Sequence, residues 1–467
     1  MRLKQIRKRK KWAVLLPLIC FLAYVLGCCL IPPLLKNSAW DDMEMQQTIS
    51  ASERVCVIDD NVDALIWRLR MIREAQKEII LVTFELRDDT SGAAIMAALL
   101  EAADRGVKVR LLVDGVDGQI QLHDSQNFKA VLSHENVDVK FYNPFRFMEL
   151  WKVNYRLHDK YLIVDDTAYL LGGRNTHDVY LGKLGEDAQA DRDIVVYETS
   201  SSGGTSLDAL RSYFETVWNL EECELLSSKM TEEKRESIRK TLAEHLEAQL
   251  CEYGFPMPDI DWYGETMETE NITLLTGDSE PRNKVPAVWK QLCRLMADAE
   301  DKVVILTPLV ICDDAMLADL AQIGEGTADI QIITSALENN VNPLAADYPY
   351  QREKVLEAGI IISEYCGTPP LHTKTILIDD DLSVIGSYNL DARSTYIDTE
   401  IMLVIDCAAL NADLRDRMDR MQEQSRTIEA DGSVTFGDRY VPKEMPFGRK
   451  CLYIVLSLIL YLFQYLL

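Results

Sequence analysis

The sequence predicts an α/β protein made of two fused copies of one α/β unit, with an apolar segment at each end. Three observations support this fold class: short buried strands alternate with helical stretches, the pattern repeats at a constant offset, and each copy leads into the same histidine motif. A chain of 467 residues corresponds to about three domain equivalents.

The repeat is visible in the spacing of the predicted elements. In the first copy, strands are predicted at 78–84, 107–113 and 137–142, with a helical stretch at 92–105. In the second copy, they are predicted at 302–307, 330–334 and 360–363, with a helix at 315–323. Matching strands lie 223 or 224 residues apart, a register that chance alternation does not give. We therefore predict half-domains at 50–225 and 284–430, joined by a helical connector at 226–283.

Each copy then reaches the motif H-x-K-x4-D-x6-G-[GS]-x-N. Its members in the first copy are His158, Lys160, Asp165 and Asn175, and in the second copy His372, Lys374, Asp379 and Asn389. An apolar strand separates the lysine from the aspartate, so the histidine and lysine start that strand on one face. A single motif of this length is weak evidence, but two copies with the same extension make coincidence negligible.

The duplicated motif resembles that of the phospholipase D superfamily, and more closely that of bacterial cardiolipin synthases whose first motif carries Gly-Gly-Arg-Asn. Similar flanking segments lie at 141–145, 172–178, 334–337 and 389–394, so that the resemblance covers roughly residues 50–425. It implies two phospholipase D-like α/β/α half-domains, related by a pseudo-twofold axis, around one active site.

The resemblance also implies a metal-free mechanism without a cofactor. One histidine attacks phosphorus to form a phosphatidyl-histidine, and the other acts as acid and base. We assign these roles to His158 and His372 in that order, although the pseudo-symmetry leaves the swapped assignment open.

The remaining motif residues support the two histidines. The expected ligands of the phosphoryl oxygens are Lys160, Lys374, Asn175 and Asn389. Glu400 and Asp193 are expected to orient the imidazoles. Asp165 and Asp379 belong to the catalytic signature, but a structural role at the end of the strand is favoured over proton transfer.

Charge separates the body of the chain from its ends. The net charge is −26, yet residues 1–36 carry eight basic groups and no acidic one. Residues 37–448 hold 39 basic and 75 acidic groups, a net of −36. So acidic a body disfavours binding to nucleic acid through its phosphates, and hence a nuclease.

Both ends are apolar. Residues 12–35 contain no charge and are long enough for a membrane anchor, with a cleaved signal peptide or a lipid-modified Cys28 as alternatives. The basic N-terminus is expected to stay in the cytoplasm, leaving the catalytic body outside the cell membrane. The 17 uncharged residues 451–467 suit either a short span or a helix lying at the interface.

An insertion of about ten residues precedes the first motif, in 143–157. Its aromatic residues and the cations Arg146, Lys152 and Arg156 suit a lipid interface, whereas the alternative is a loop packed on the sheet. We expect these cations and the two motif lysines to supply positive charge at the mouth of the site, with acidic residues elsewhere. His177, close to the first motif, is a candidate for substrate contact.

The predicted activity is phosphatidyl transfer between glycerophospholipids to give cardiolipin, with phosphatidylglycerol as substrate and phosphatidylethanolamine as a further candidate. Hydrolysis by water is the alternative for the same chemistry, and a non-enzymatic scaffold would need a broken motif, which neither copy has. Eleven cysteines without a C-x-x-C pair in the body make a zinc site or a disulfide framework unexpected. The oligomeric state is not predicted.

Overall fold

Two nine-stranded mixed sheets form the body of the protein. The computed structural model describes residues 15–17, 19–28, 31, 53–183, 185, 187–199, 203–253, 258–326 and 329–460. In spatial order, the first sheet consists of Cys223–Leu225, Val137–Tyr142, Lys108–Asp114, Glu78–Thr83, Tyr161–Val164, Ala168–Gly172, Asp193–Glu198, Glu53–Ile58 and Met267–Glu268. The second sheet consists of Val434–Phe436, Ser425–Ile428, Ile361–Tyr365, Asp329–Ser335, Lys302–Leu306, Thr375–Ile378, Leu382–Gly386, Ile401–Asp406 and Asn271–Thr276.

Eight strands of each sheet match in order and direction. Three neighbouring strands are parallel in both sheets, and every other pairing between named strands of the two sheets is antiparallel. The parallel strand Glu78–Thr83 is a continuous apolar run because it is covered on both faces. The topology confirms the duplicated α/β unit predicted from the constant offset.

Helices cover the sheets and also lie between them. Those before the connector are Asn61–Glu74, Thr90–Asp104, Gly115–Gln121, Gln126–Val131 and Ser206–Trp218. The connector contains Glu232–Glu252 and Trp262–Glu265, and the later helices are Ala287–Ala297, Asp314–Gly324, Tyr348–Glu357, Ala392–Tyr396, Ala408–Gln422 and Phe447–Leu460. Two 3-10 helices, Phe147–Lys152 and Pro343–Asp347, lie in loops.

A shared apolar core joins the two halves. Along the strand that follows the first motif, Leu162 faces an outer cluster and Ile163 faces the opposite cluster, as the alternation of side chains in a strand requires. That second cluster contains residues of both sheets and of two helices, including Leu210 and Leu414. Because one continuous core is built from both halves, the ends of the two motif strands have fixed relative positions.

The terminal segments are described only in part. Residues 15–17 and 19–28 are helical, and the Phe21 ring stacks on Phe147 of the insertion at 6.0 Å between centroids. Within the described ranges, no helix combines the length and the apolar character that crossing a bilayer requires. Much of the predicted anchor 1–36, and residues 461–467 of the predicted segment 451–467, lie outside those ranges.

Candidate active site

The two motif histidines meet at a backbone seam between the halves. A parallel bridge joins Leu157 to Thr399, and a second joins Ala190 to Leu371. The His158 amide donates to the Thr399 hydroxyl at 3.0 Å, and the His372 amide donates to the Ala190 carbonyl at 2.7 Å. Each histidine is thus positioned by the half that does not carry it.

The carboxylates that contact the histidines are exchanged between the halves. Nδ1 of His158 lies 2.8 Å from Glu400, and Nδ1 of His372 lies 2.5 Å from Asp191. The Ser394 hydroxyl also donates to Glu400 at 2.6 Å, and Ser387 donates to its second oxygen. Since Nδ1 of each ring is engaged by a carboxylate, Nε2 is the nitrogen left for chemistry on each side.

The expectation that Asp193 orients a histidine is wrong. Its carboxylate accepts from Arg68 at 2.9 Å and pairs with Arg174 at 3.0 Å, in a fully buried cluster. Strand register explains the shift of two residues. Asp193 is opposite Gly172, and Met402 is opposite the equivalent Gly386, so the counterpart of Glu400 is Asp191.

Both motif lysines are buried beside their histidines, each about 2% exposed. The Lys160 ammonium donates to the His158 carbonyl at 2.5 Å, and the Lys374 ammonium donates to the His372 carbonyl and lies 2.9 Å from Nδ1 of that ring. The side-chain oxygens of Asn175 and Asn389 are buried and have no hydrogen-bond partner among the described residues. Buried amides of this kind suit a polar ligand.

The electrostatics of the cluster follow from burial and from the lysines. Burial lowers the pKa of His158 well below its ordinary value and that of His372 to about 4, and the neighbouring ammonium groups act in the same direction. Burial also lowers the pKa of Lys160 to about 7 and raises that of Glu400 to about 7. At Asp191 burial is outweighed by Lys374 and His372, which lower the carboxyl pKa to about 2. Each of these nitrogen bases would gain a proton more easily beside an anion.

A cavity of about 370 Å³ opens over the seam. Both histidines and both asparagines line it, whereas the lysines lie behind them. Sequence reasoning gave no signal for Phe84, whose ring lies 5.4 Å from that of His158, or for Tyr180, whose ring lies 4.7 Å from that of His372. His177, the candidate for substrate contact, lies in the cavity wall.

Asp165 and Asp379 are remote from this cavity. Asp165 accepts from the backbone amides of residues 76–78 at 2.7–2.8 Å, and Asp379 from those of 300–302 at 2.8–3.0 Å. Both have positive φ, 49° and 46°, which aspartate tolerates better than most residues. Their place in the catalytic signature is therefore corrected to a structural one, because each ties a strand end to the neighbouring strand.

The expectation that the insertion cations supply the positive charge at the mouth is also wrong, because the described cations that line the cavity are Arg87 and Arg393. In the insertion, Arg146 pairs with Glu224 at 3.2 Å, Lys152 with Glu222 at 3.1 Å, and Arg156 with the buried Asp114 at 2.6 Å. The carboxylates that line the cavity are Glu85, Asp391 and Asp398, and each has a hydrogen-bond partner. The insertion exposes four apolar side chains, Phe145, Phe147, Met148 and Trp151, beside the paired Arg146.

Comparison with known proteins places this geometry in a family. A family model described as "Cardiolipin synthase, PLD-like domain" matches residues 69–218 and 292–422. Cardiolipin synthase C of Escherichia coli is 26% identical over 436 residues, covering 83% of this chain and 89% of that one. Cardiolipin synthase 2 of Bacillus cereus is 28% identical over 360 residues, covering 76% and 62%. A phosphatidylserine synthase structure from Haemophilus influenzae superposes with a TM-score of 0.62 at 15% identity, covering 90% and 98%, and supports the fold.

Proposed function

Since the chain belongs to the cardiolipin synthase family with phospholipase D-like domains, a family of phospholipid-modifying enzymes, we propose that it transfers a phosphatidyl group between glycerophospholipids to give cardiolipin. The observation that carries the proposal is the paired arrangement of His158 with Glu400 and His372 with Asp191 at one cavity. Two histidines on opposite halves, whose Nε2 atoms are not engaged by a carboxylate, provide a nucleophile and an acid for one phosphodiester. Nε2 of His372 lies 3.3 Å from the Lys374 ammonium.

In the first step, Nε2 of neutral His158 attacks the phosphorus of phosphatidylglycerol. An N–P bond forms, the P–O bond to the head group breaks, and protonated His372 gives its Nε2 proton to the departing alkoxide. The products are a phosphatidyl-histidine and free glycerol. Glu400 holds the Nδ1 proton of His158, which keeps Nε2 unprotonated for the attack.

In the second step, neutral His372 removes the proton from a hydroxyl of a second phosphatidylglycerol. The new O–P bond forms as the N–P bond to His158 breaks, which releases cardiolipin and returns both histidines to their starting protonation. Asp191 stabilises the imidazolium of His372 in each half-reaction. The two histidines therefore titrate as a coupled pair.

The lysines and asparagines complete the site. A phosphodiester between the histidines would place its non-bridging oxygens against the ammonium groups of Lys160 and Lys374 and the amide Nδ2 groups of Asn175 and Asn389. Cations that are already desolvated stabilise the developing charge without reorganising water. The phosphate charge would raise the depressed histidine pKa values towards neutrality, which suits acid–base exchange.

Three further proposals concern the whole chain. The proposed half-domains at 50–225 and 284–430 and the connector at 226–283 are supported by the two sheets and the helix Glu232–Glu252, but the connector range also contributes the edge strands Met267–Glu268 and Asn271–Thr276 to the sheets. The apolar segments within 1–36 and 451–467 attach the enzyme to the cell membrane. The basic N-terminus stays in the cytoplasm, with the catalytic body outside.

The test is to incubate the purified protein with phosphatidylglycerol vesicles, with and without phosphatidylethanolamine, and to identify the products by mass spectrometry. Cardiolipin formation supports the proposal, whereas phosphatidic acid alone replaces transfer by hydrolysis. His158→Ala and His372→Ala should each lower the rate by at least about 10³-fold. His123→Ala, an exposed histidine remote from the cavity, is the matched control. Full activity in either motif variant would refute the mechanism.

A further inference from the structure

The two walls of the active-site cavity differ at positions that the duplication makes equivalent. The Thr83 hydroxyl donates to the Glu85 carbonyl at 2.9 Å, and the Thr307 hydroxyl donates to the Leu309 carbonyl at 2.9 Å. Glu85 and Leu309 are therefore counterparts, and both line the cavity. One wall carries a carboxylate where the other carries an alkyl group.

Two more pairs of equivalent positions also differ in polarity between the two walls. The bridge between Leu86 and Thr176 has its counterpart in the pairing of Val310–Ile311 with Leu390–Asp391. Arg87 of the first wall thus corresponds to Ile311, and His177 corresponds to Asp391. Asp391 is committed to its own helix, because it caps Ala392–Tyr396 by accepting from the Ser394 amide at 2.7 Å. The cluster of Glu85, Arg87 and His177 is a feature of the first half alone.

This cluster adjoins Tyr180, whose ring also contacts the catalytic His372. Arg87 donates to Glu85 at 2.5 Å, and Nε2 of His177 lies 2.9 Å from the same carboxylate oxygen. Burial opposes ionisation of Glu85, but His177 and Arg87 outweigh it and lower its pKa to about 2. The Tyr180 ring lies 5.0 Å from that of His177 and 4.7 Å from that of His372. Neither ring nitrogen of His177, a residue only 2% exposed, has hydrogen-bond geometry with a described residue, although Nε2 lies close to Glu85.

Part of the opposite wall is apolar, although Asn340, Asn342 and Arg393 of the second half also line the cavity. Pro308, Leu309, Val341 and Leu344 form this apolar part, and Val341 is half exposed. A phosphodiester lipid has one apolar and one polar substituent on its phosphate, so the two walls suit its two ends in only one orientation. The diacylglycerol end fits the wall of the second half, and the head group fits the wall of the first half.

We propose that Glu85, Arg87 and His177 form a head-group subsite that binds the two neighbouring hydroxyls of a glycerol head group. The inference rests on the proposed function and names the substrate class of that site. The carboxylate accepts from a hydroxyl, while the guanidinium and the free imidazole nitrogen suit hydroxyl oxygens. An ammonium head group fits less well, because the guanidinium of Arg87 already balances the charge of Glu85.

The subsite also orients the reaction. A head group held beside Tyr180 places the departing oxygen next to His372, which therefore protonates it as the P–O bond breaks and the N–P bond to His158 forms. The acceptor glycerol must approach phosphorus from the side the first glycerol left, so the same subsite binds it in the second step. The asymmetry of the walls thus favours His158 as the nucleophile over the swapped assignment.

The decisive comparison uses phosphatidylglycerol and phosphatidyl-n-propanol, which share charge and acyl chains but differ in the diol. Wild-type protein should favour phosphatidylglycerol by at least about 10-fold in kcat/KM for head-group release, because a site built for hydroxyls discriminates against an analogue that lacks them. Glu85→Gln and Arg87→Leu should each lower kcat/KM for phosphatidylglycerol at least about 10-fold more than for phosphatidyl-n-propanol.

His134→Ala is the matched control, because His134 also pairs with a carboxylate, Asp104 at 3.0 Å, outside the cavity. It should leave the preference for the diol unchanged. A wild-type enzyme that turns over both lipids equally, or variants that slow both equally, would overturn the subsite while leaving the proposed function intact. If the wild-type protein turns over neither lipid, the proposed function is refuted instead.

One measurement does not depend on the variants folding. Glycerol 1-phosphate should inhibit the wild-type enzyme at least about 10-fold more strongly than n-propyl phosphate, since the two differ only in the diol. Equal inhibition by the two phosphates would also overturn the head-group subsite.

Discussion

Replacing Asp191 and Asp193 one at a time distinguishes the catalytic role of one carboxylate from the structural role of another that lies two residues further along the chain. Asp191 contacts Nδ1 of His372 at 2.5 Å and has a fully buried side chain. Asp193 is equally buried but pairs with Arg68 and Arg174. We expect Asp191→Asn to impair turnover in a folded protein and Asp193→Asn to destabilise a protein whose folded fraction is active.

The size of the Asp191→Asn effect follows from two contributions. A hydrogen bond to a charged group contributes about 1.5–3 kcal/mol, which corresponds to roughly 10- to 100-fold in rate. The amide of the new asparagine can also donate to Nδ1 of His372, which would move the ring proton to Nε2 and block its role as base. A wrong histidine tautomer can cost about 10⁴-fold. We therefore expect kcat of the folded enzyme to fall between about 10² and 10⁴-fold, and the melting temperature to fall as well, because Asp191 balances the buried charge of Lys374.

Asp193→Asn should lower the free energy of unfolding. Removing one partner of a buried ion pair costs about 3–5 kcal/mol because the remaining guanidinium charges are left without compensation. The assays are cardiolipin formation by mass spectrometry, corrected for the folded fraction, and thermal unfolding by circular dichroism. A folded Asp193→Asn variant without activity, next to an active Asp191→Asn variant, would refute the register argument.

The remaining predictions concern charge, strand ends and the lipid surface. Sulfate, whose charge is constant between pH 6 and pH 8, should bind more tightly as the pH falls from 8 to 6. The reason is that the pKa of Lys160 is about 7 in the protein without a bound anion, and an anion raises it. Calorimetry should show proton uptake on binding, and a pH-independent affinity would contradict this prediction. Asp379→Asn should lower the free energy of unfolding by about 1–3 kcal/mol without changing kcat of the folded enzyme. A loss of kcat at unchanged stability would contradict the structural role that we assign to Asp379. Phe147→Ala combined with Trp151→Ala should weaken binding to phosphatidylglycerol vesicles by about 10-fold or more in a flotation assay. Phe436→Ala, which removes an exposed aromatic ring on the far edge strand, should not weaken it. Equal effects would count against the insertion as the segment that contacts the lipid surface.

The duplication could be predicted because its signal is local. Strands buried on both faces are apolar runs, and Glu78–Thr83 and Lys302–Leu306 begin at the residues expected from the sequence. The motif positions are equally local, since His158 and Lys160 are separated by one residue of a single strand start. Features that depend only on residues within a few positions of a motif can therefore be predicted from the sequence alone.

The partner of each histidine could not be predicted in this way. Glu400 follows His372 by 28 residues, which suggests a partnership within one half, but its side chain contacts His158 of the other half. The exchange depends on the two backbone bridges at the seam, and no sequence interval encodes them. Asp191 was missed because the longer loop before it hides its register, which only the pairing of Asp193 with Gly172 reveals.

The acidic body and an anionic substrate are compatible once distance is considered. Exposed carboxylates more than a Debye length from the cavity, about 8 Å at physiological salt, act weakly on a bound phosphate. If the phosphate binds as proposed, Lys160 and Lys374 would act at contact distance in a desolvated site, where each charge interaction is several times stronger than in water. Because the insertion cations Arg146 and Lys152 are paired with glutamates, the insertion would offer a bilayer its exposed aromatic side chains more than a basic patch. Affinity for the phosphate would then come from the buried lysines and contact with the bilayer from apolar groups, so neither requires a positively charged surface.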